Sequence, residues 1–423
     1  MSKYGNSDRD DPVPEERGSR FRLPVIAWLS VLFFAACTKM SPEDGVARHD
    51  GTLVRLTVSL PQPALPTKGA RAGGLSGDAE NRIEDVMILV LEQENGKYVY
   101  RYMTEGERLE STGNSAQFQA KLLSTTKPVK LMLAGNYGDA FAAYAPSPGR
   151  SEAEVKAGIG CSFTGAARSL PMYGEIAVPS GLEADRENRF SVKMLRAVAR
   201  IDVEKDLTAD SRSLRIESVR LYRPNDKIQL APDEFFAPES PRVTVPSVFA
   251  GAVKSQSPVV TETSEPDPVS VAGIYVPEAD EVADAAARLT DATCIVVGGY
   301  YDGQSQPTYY RVDFDPGLEG HPFGQILRNH RYVFRIRKVT GPGWSDPGLA
   351  AVNKATSIVA EIEPWEDFTT EMHFEGDNYI GLSSRSVTLG YPAGKTDTVD
   401  VQATVPYAIQ WLAASGSLVG TAV

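Results

Sequence analysis

Apolar and polar residues alternate along many short stretches of this chain, which is the pattern of half-buried β-strands. The first stretch, residues 52–60, reads TLVRLTVSL and has an aliphatic side chain at every second position from Val54 to Leu60. The 36 Gly and 29 Pro residues supply the turns that short strands need. The pattern predicts an all-β fold with minor α-helix, with further strands at residues 83–91, 128–134, 214–222, 294–300, 307–314, 331–339 and 357–365.

Three stretches depart from simple alternation. Residues 190–203, FSVKMLRAVARIDV, change phase between Met194 and Val198, which predicts a strand with a bulge, with a helix as the alternative. Residues 231–268 are rich in Pro and Ser and predict a long surface loop. Residues 278–289, EADEVADAAARL, are rich in Ala and predict a short helix.

At 423 residues, the chain is long enough for two or three domains. We expect two tandem β-sandwich domains, at residues 51–206 and 207–375. In the first of them, strand 52–60 is followed by a Pro- and Gly-rich connection at 61–82 that a protease could reach. Residues 376–423 predict a partial third β segment, since they are too few to close a sandwich.

The chain begins with the features of a secretory signal over residues 1–36. Three arginines precede an apolar run at residues 23–34, which is too short to span a bilayer as a helix. Residues 34–37, Phe-Ala-Ala-Cys, resemble the lipobox of bacterial lipoproteins, in which the cysteine is acylated and becomes the mature N-terminus. We therefore predict lipidation at Cys37, followed by a polar tether to residue 50. The alternative is an unlipidated cysteine after an ordinary signal peptide.

Charge and motifs exclude several classes of function. A net charge of −12 without a basic stripe argues against nucleic-acid binding. The four histidines lack the spacings of common zinc sites, and we expect His330 to make ordinary hydrogen bonds at the start of a strand. Nucleophile-elbow, phosphate-loop and dinucleotide fingerprints are missing, so we expect neither an enzyme nor a cofactor. A glycosidase is the third hypothesis, resting on the acidic pairs Asp313 with Asp315 and Glu361 with Glu363.

Two groups of residues leave alternatives open. Cys161 and Cys294 are predicted to be buried thiols, with a disulfide between them as the minor alternative. Four tyrosines could either pack in the core and across strands, or stack on sugar rings, namely Tyr300, Tyr301, Tyr309 and Tyr310.

Several motifs recur in a characteristic order after the lipobox. They are ENRIEDVMILVL, PVKLMLAGNYG, SLPMYGE, MLRAVARIDV, IYVPE and LRNHRYVFRIRKVTGPG, the last followed by a strand that ends at Trp365. In this order and spacing the chain resembles the major fimbrial subunit (fimbrillin) family of Bacteroidales-type bacteria. The resemblance covers most of the mature chain. It implies fimbrillin-type β-sandwiches, lipoprotein export to the outer-membrane surface and a role in adhesion.

The resemblance also implies assembly of a pilus by donor-strand exchange. In that family an arginine-specific protease removes the first strand, and an extended segment of a neighbouring subunit fills the groove. The bond between Arg71 and Ala72 matches the expected cleavage position, and the alternative is an exposed basic loop that is never cut. The partners implied are other fimbrial subunits, the outer membrane, and glycans or proteins of host or bacterial surfaces.

The last segment leaves the exact role open. Residues 376–423 resemble the start of a BACON-type module, a small sandwich linked to glycan or mucin contact, and could instead be a donor strand. A tip or accessory subunit is therefore as consistent with the sequence as a stalk subunit. The second hypothesis for function is an outer-membrane lipoprotein that binds carbohydrate without polymerising.

Overall fold

The computed structural model describes residues 51–60, 80–112, 115–138, 140–165, 169–206, 213–236, 241–263, 268, 270–317, 321–365, 371–375, 378–382, 401–403, 409–412 and 418–422. All of them belong to one unit that spans Pro42–Val423. The described residues form β-sheets with four short helices, which confirms the all-β fold class. The helices are α1 Ala140–Ala143, α2 Glu152–Gly158, α3 Arg288–Asp291 and α4 Pro347–Val352.

Two sheets make the first sandwich. One has the strand order β4-β5-β1-β9, with bounds β1 Thr52–Ser59, β4 Glu107–Thr112, β5 Ser115–Leu122 and β9 Asn188–Lys193. The other has the order β10-β8-β6-β2-β3, with bounds β2 Val86–Glu94, β3 Lys97–Glu105, β6 Val129–Gly135, β8 Met172–Val178 and β10 Leu195–Arg196.

The alternation seen in the sequence explains how these strands bury one face. Val54 on β1, Phe118 on β5, Ile88 on β2 and Leu131 on β6 are all fully buried in one hydrophobic core. Strands β2 and β3 form a hairpin through Asn95 and Gly96, both of which have positive φ angles. An Asn-Gly pair suits this two-residue turn because both residue types tolerate the left-handed conformation.

Two further sheets make the second sandwich. The first has the order β15-β11-β18-β19, with bounds β11 Ala199–Lys205, β15 Ser270–Val276, β18 Arg331–Val339 and β19 Ile358–Trp365. The second has the order β14-β12-β16-β17, with bounds β12 Leu214–Tyr222, β14 Val259–Glu262, β16 Cys294–Tyr301 and β17 Thr308–Asp313. Ile201, Leu221, Val297 and Phe334 meet in a second core between these sheets.

The remaining strands form small sheets. β7 Gly160–Ser162 pairs with β13 Lys227–Gln229. Beyond residue 370 there is a three-stranded sheet and a two-stranded sheet, which form the partial third β segment. Their strands are β20 Glu371–Glu375, β21 Asn378–Leu382, β22 Val401–Ala403, β23 Ile409–Leu412 and β24 Leu418–Ala422. The domain boundaries after residues 206 and 375 stay predictions.

Residues 190–203 are extended, so the helix alternative for this stretch is wrong. The phase change marks more than a bulge, because β9, β10 and β11 belong to three different sheets. Strand β9 pairs with β1, β10 pairs with β8, and β11 pairs with β15 and β18 of the second sandwich. The change of phase is where the chain passes from the first core to the second.

The helix predicted at residues 278–289 is wrong over most of its length. Ala279 exchanges backbone hydrogen bonds of 3.1 and 2.9 Å with Ile326, and α3 begins only at Arg288. Glu278 is buried and pairs with the fully buried guanidinium of Arg328, whose Nε lies 2.9 Å from its carboxylate. These contacts between residues far apart in sequence outweigh the helix propensity of the alanines.

The surface loop predicted at residues 231–268 is only partly correct. Its last part forms the edge strand β14, which pairs with β12. Ala231, Val243 and Ser247 within it are buried. Ser247 is held because its backbone N–H donates to Glu278.

Candidate functional site

The first strand lies inside a sheet. β1 pairs antiparallel with β5, from Thr52 opposite Leu122 to Ser59 opposite Ser115, and it also pairs parallel with β9. Within the described residues, β9 has no hydrogen-bonded strand neighbour other than β1. The backbone of β9 therefore depends on β1 for its place in the sheet. We name the space that β1 fills between β5 and β9 the β1 groove.

The inward face of β1 is aliphatic. Val54, Leu56 and Val58 are completely buried, and Leu60 is nearly so. Each such side chain stabilises the fold by about 1.5–3 kcal/mol when it leaves water. They share the first core with Phe118 and Leu122 of β5 and with residues of the facing sheet. A groove emptied of β1 would expose this part of the core.

The start of the groove is polar. Thr52 and Asn188 are both buried, with 6% and 8% of their surfaces exposed. The Thr52 hydroxyl donates to the carbonyl oxygen of Glu183 at 2.6 Å, and Asn188 Nδ2 donates to Thr52 Oγ1 at 3.1 Å. Just before this strand, a Cβ at Gly51 would lie 2.3 Å from the carbonyl oxygen of Leu122, so only glycine fits there.

The outward face of β1 is mixed. Leu53 is exposed, and Nε of Arg55 lies 2.9 Å from the carboxylate of Glu187. Because this pair is partly exposed to solvent, it contributes about 1 kcal/mol or less. The backbone hydrogen bonds and the buried aliphatic face of β1 therefore contribute most of the free energy that keeps this strand in its sheet.

The chain is anchored a second time at Glu80 and Asn81, the first described residues after β1 and its connection. Nη1 of Arg200 lies 2.8 Å from each carboxylate oxygen of Glu80, and the Tyr275 hydroxyl also donates to Glu80. The fully buried Arg196 donates to the Asn81 side chain and to the Glu80 carbonyl oxygen. We name these contacts of Glu80 and Asn81 the Glu80 clamp.

The Glu80 clamp continues into a buried charge network. Asp202 accepts hydrogen bonds from Arg200 Nε at 2.9 Å, from Arg331 Nε at 2.6 Å and from the Gly273 backbone at 2.8 Å. Burial alone would raise the pKa of Asp202, but the charges of Arg331 and Arg200 hold it below its ordinary value. The Asp202 carboxylate is thus ionised at neutral pH and fixes both arginines.

The next few residues are held on the first sandwich by Asn136. Its side-chain Nδ2 donates to the carbonyl oxygens of Arg82 and Leu170, each at 2.8 Å, and its Oδ1 accepts from the Glu84 backbone at the same distance. Residues 80–84 are therefore fixed by both sandwiches. The prediction that 61–82 is exposed throughout is wrong at its end, because Glu80 and Asn81 are buried.

The residues predicted for processing lie elsewhere in the chain. Cys37, Arg71 and Ala72 are outside the residues that the structure describes. The sequence interpretation missed Thr52, Glu80 and Asn188. A faint signal existed for Glu80, since an acidic residue before a strand and two arginines four positions apart in MLRAVAR are compatible with a buried ion pair.

The four tyrosines that could stack on sugar rings lie in different environments. Tyr310 is buried in the second core and donates its hydroxyl to the Gly341 carbonyl oxygen, while Tyr301 packs partly against that core. Tyr300 and Tyr309 lie instead under guanidinium groups, with Arg215 4.5 Å and Arg220 5.1 Å from the respective ring centres. Ring faces already covered by arginine offer less area for stacking on sugars.

One member of each acidic pair, the histidine and the two cysteines have structural explanations, while the Glu363 side chain lies outside the described part of the structure. Asp313 accepts from Arg311 Nε at 2.7 Å, and Glu361 accepts from Arg337 Nε at 2.8 Å. His330 is buried with Nδ1 2.9 Å from the Arg328 carbonyl oxygen, as expected for ordinary hydrogen bonding. Cys161 and Cys294 are buried thiols, as predicted.

The described part of the chain shows neither a metal-binding cluster nor a membrane-spanning helix. Groups of three or more His, Cys, Asp or Glu side chains able to hold a metal ion do not occur among these residues. Among the same residues, none of the helices is both long and apolar enough to cross a membrane.

Comparison with known proteins gave matches only among solved structures. No protein-family profile matches the chain, and neither does any curated protein. A candidate cell adhesion protein from Parabacteroides distasonis is 16% identical, with 76% of this chain and 99% of that chain covered and a TM-score of 0.44.

Two further solved structures resemble the chain to a similar degree. The tip fimbrial protein Mfa3 from Porphyromonas gingivalis, with a C-terminal truncation, is 15% identical over 74% of this chain and 100% of that chain, at a TM-score of 0.42. A candidate cell adhesion protein from Bacteroides eggerthii is 14% identical over 75% and 97%, at a TM-score of 0.44.

Proposed function

We propose that this chain is a structural or accessory subunit of a cell-surface fimbria that serves adhesion. In this proposal the protein is exported as a lipoprotein acylated at Cys37 and reaches the surface of the outer membrane. Cleavage between Arg71 and Ala72 then frees β1, and an extended segment of a neighbouring subunit takes its place. The lipid anchor and the cleavage position rest on sequence motifs.

The observation that carries the proposal is the position of β1 in its sheet. β1 is an interior strand that contributes an aliphatic face to the core, and it is followed by the connection that contains Arg71. A cut in that connection would leave β1 held only by noncovalent contacts. The strand could then leave without breaking any other part of the chain.

The Glu80 clamp supports the same proposal from the other side of the connection. It fixes residues 80 and 81 through Arg196, Arg200 and Tyr275, all of which lie outside the β1 sheet. Loss of β1 would therefore leave these contacts in place. The rest of the first sandwich would stay attached where residue 80 enters it.

The emptied β1 groove would bind a new strand strongly. The facing edges of β5 and β9 would present unpaired N–H and C=O groups, and the pockets of Val54, Leu56 and Val58 would be open. An extended segment with alternating apolar residues would pair with these backbone groups and fill these pockets at the same time. Residues 376–423 are one candidate source of such a segment in a neighbouring copy, unless they instead begin a BACON-like module.

The carbohydrate-binding alternative has less support. Of the four tyrosines that suggested it, Tyr310 is in the core, and arginines cover Tyr300 and Tyr309. We therefore keep a single proposed function. Stalk, tip and anchor roles are all compatible with it.

The test is controlled cleavage of the purified mature chain by an arginine-specific protease. We expect a product that begins at Ala72 and forms oligomers, with the 52–60 segment released as oligomers grow. Arg71→Ala should abolish both events, whereas the matched control Lys68→Ala should not. Cleavage after Arg71 without release of β1 or without oligomers would contradict strand replacement.

A further inference from the structure

The β1 groove needs a feature that sets the register of the strand that fills it. Side chains alternate with a period of two, so a strand that slides by two residues still places apolar residues inward. Val54, Leu56, Val58 and Leu60 are all aliphatic and make no directional contacts. The aliphatic pockets alone would therefore discriminate weakly between neighbouring registers.

One inward position of β1 is polar. Thr52 stands two residues before Val54 and faces inward, and like the aliphatic residues of this face it is buried. Its hydroxyl donates to the Glu183 carbonyl oxygen and accepts from Asn188 Nδ2. The Arg186 carbonyl oxygen is a second acceptor for this hydroxyl, at 3.2 Å. Thr52 therefore makes directional contacts that the aliphatic side chains of the strand cannot make.

The Asn188 side chain is also held by contacts that do not involve β1. Asn188 Oδ1 accepts from the Glu183 backbone N–H at 3.0 Å, and Asn188 Nδ2 donates to the Glu183 carbonyl oxygen at 2.9 Å. A third bond, of 3.3 Å, joins Nδ2 to the Arg186 carbonyl oxygen. These bonds fix the Asn188 side chain within the 183–188 turn, and mutual backbone hydrogen bonds between Leu182 and Thr125 hold that turn on the first sandwich. The polar end of the groove would therefore persist when β1 leaves, although among the described strands the rest of β9 pairs only with β1.

We propose that Asn188, with the carbonyl oxygen of Glu183, is a register lock for the strand that occupies the β1 groove. The inference rests on the proposed strand replacement. The occupant is an extended segment of a neighbouring subunit that carries Thr or Ser at one inward position, followed by aliphatic residues two, four and six positions later. Its hydroxyl takes the place of the Thr52 hydroxyl.

The lock acts because burying a polar group without a partner is unfavourable. A strand shifted by two residues would put an aliphatic side chain, or no side chain, against Asn188 and the Glu183 carbonyl oxygen. Leaving one such buried group unpaired weakens binding by about 10-fold or more. Serine keeps the hydroxyl, so it should replace threonine with little loss, whereas valine keeps only the shape.

The experiment uses the full chain with Cys37→Ser and a specific protease site placed between residues 61 and 79. After cleavage, β1 stays bound as a noncovalent peptide and is displaced by excess synthetic peptide. The three peptides have the sequence of residues 52–60, with Thr, Ser or Val at the first position. Fluorescence competition gives their relative affinities, and this measurement uses a chain without any substitution in the groove.

Disulfide trapping reports the register. Each peptide carries Cys at the position of Thr57, which lies opposite Gln117 of β5. The nicked chain carries Gln117→Cys, or Ser115→Cys or Gln119→Cys for registers shifted by two. Cys161 and Cys294 are buried and do not compete.

We expect the Thr and Ser peptides to bind alike and to trap only with Gln117→Cys. The Val peptide should bind about 10-fold more weakly and trap at a shifted position as well. Equal affinity and a single register for all three peptides would overturn the lock and leave strand replacement intact. Failure of every peptide to enter would contradict strand replacement, and the lock with it.

Discussion

Nη1 of Arg200 lies 2.8 Å from both carboxylate oxygens of Glu80, a residue with only 1% of its surface exposed. The pair joins the end of the predicted 61–82 connection to β11 of the second sandwich. A buried carboxylate at this point is costly unless it is paired, so it marks a position where the chain must be held. The two sides of the connection are therefore fixed by different means, β1 by its sheet and residue 80 by an ion pair.

Glu80→Ala should reduce the free energy of unfolding by about 3 kcal/mol, because it removes the buried carboxylate that Arg200 and Tyr275 hydrogen-bond. Urea denaturation measures the change. The control is Glu84→Ala, whose pairing with Arg82 at 3.5 Å is between half-exposed side chains and should contribute about 1 kcal/mol or less. Equal effects of the two substitutions would mean that the clamp does not anchor the chain.

Leu56→Ala should destabilise the protein by about 2–5 kcal/mol, since Leu56 is completely buried at the middle of β1. In a chain nicked between residues 61 and 79, the same substitution should speed the loss of β1. Thr57→Ala, at the adjacent outward position, is the matched control and should change both quantities little. Thermal unfolding and the rate of peptide release measure the two effects. Unchanged release after Leu56→Ala would show that the aliphatic face does not retain β1.

Stability should depend on Lys254 above pH 7. Burial lowers the pKa of this amine from 10.5 to about 8, with Arg223 also lowering it and Asp280 opposing the change. Between pH 8 and 10.5 the unfolded chain binds more protons at this residue than the folded chain does, so its contribution to stability rises with pH. Lys254→Met removes the titrating group.

The stability gained by Lys254→Met over the natural chain should therefore shrink as pH rises from 7 to 9.5. Urea denaturation across this range tests the sign. Lys97→Met, at an exposed position of β3, serves as the control and should show no such trend. A gain that stays constant with pH would contradict the burial of the Lys254 amine.

Cys294 should resist thiol reagents in the folded protein. Burial raises the pKa of its thiol to about 11, so at pH 8 only about one molecule in a thousand carries the reactive thiolate. Labelling at pH 8 followed by peptide mass analysis should find Cys294 modified only after denaturation. Rapid labelling of Cys294 in the native state would mean that β16 opens readily.

Local alternation was enough to locate most strands. The strand predicted at 331–339 matches β18, and those at 52–60 and 214–222 match β1 and β12 closely, because apolar side chains recur at every second position over most of each strand. Sequence alone could not place the passage between the two cores at residues 194–198. There the chain changes sheets, and a change of sheet looks like a bulge in the sequence pattern.

The missed features depend on contacts between residues far apart in sequence. Residues 278–289 have the composition of a helix. Glu278 nevertheless forms an ion pair with Arg328, and the backbone of Ala279 forms hydrogen bonds with that of Ile326. Glu80 lies more than a hundred positions from Arg200, and Thr52 is as far from Asn188. Alternation cannot reveal such pairs, which is why the clamp and the polar end of the groove emerge only from the fold.

The most direct test of the account is the N-terminus of the protein in assembled material from native outer membrane. Intact-mass and N-terminal analysis, with and without the activity of an arginine-specific protease, would determine it. We predict a mature chain that begins at Ala72 in the assemblies, and loss of both the new terminus and the assemblies without the protease. Assembled material that keeps an acylated Cys37 and an uncut β1 would contradict it.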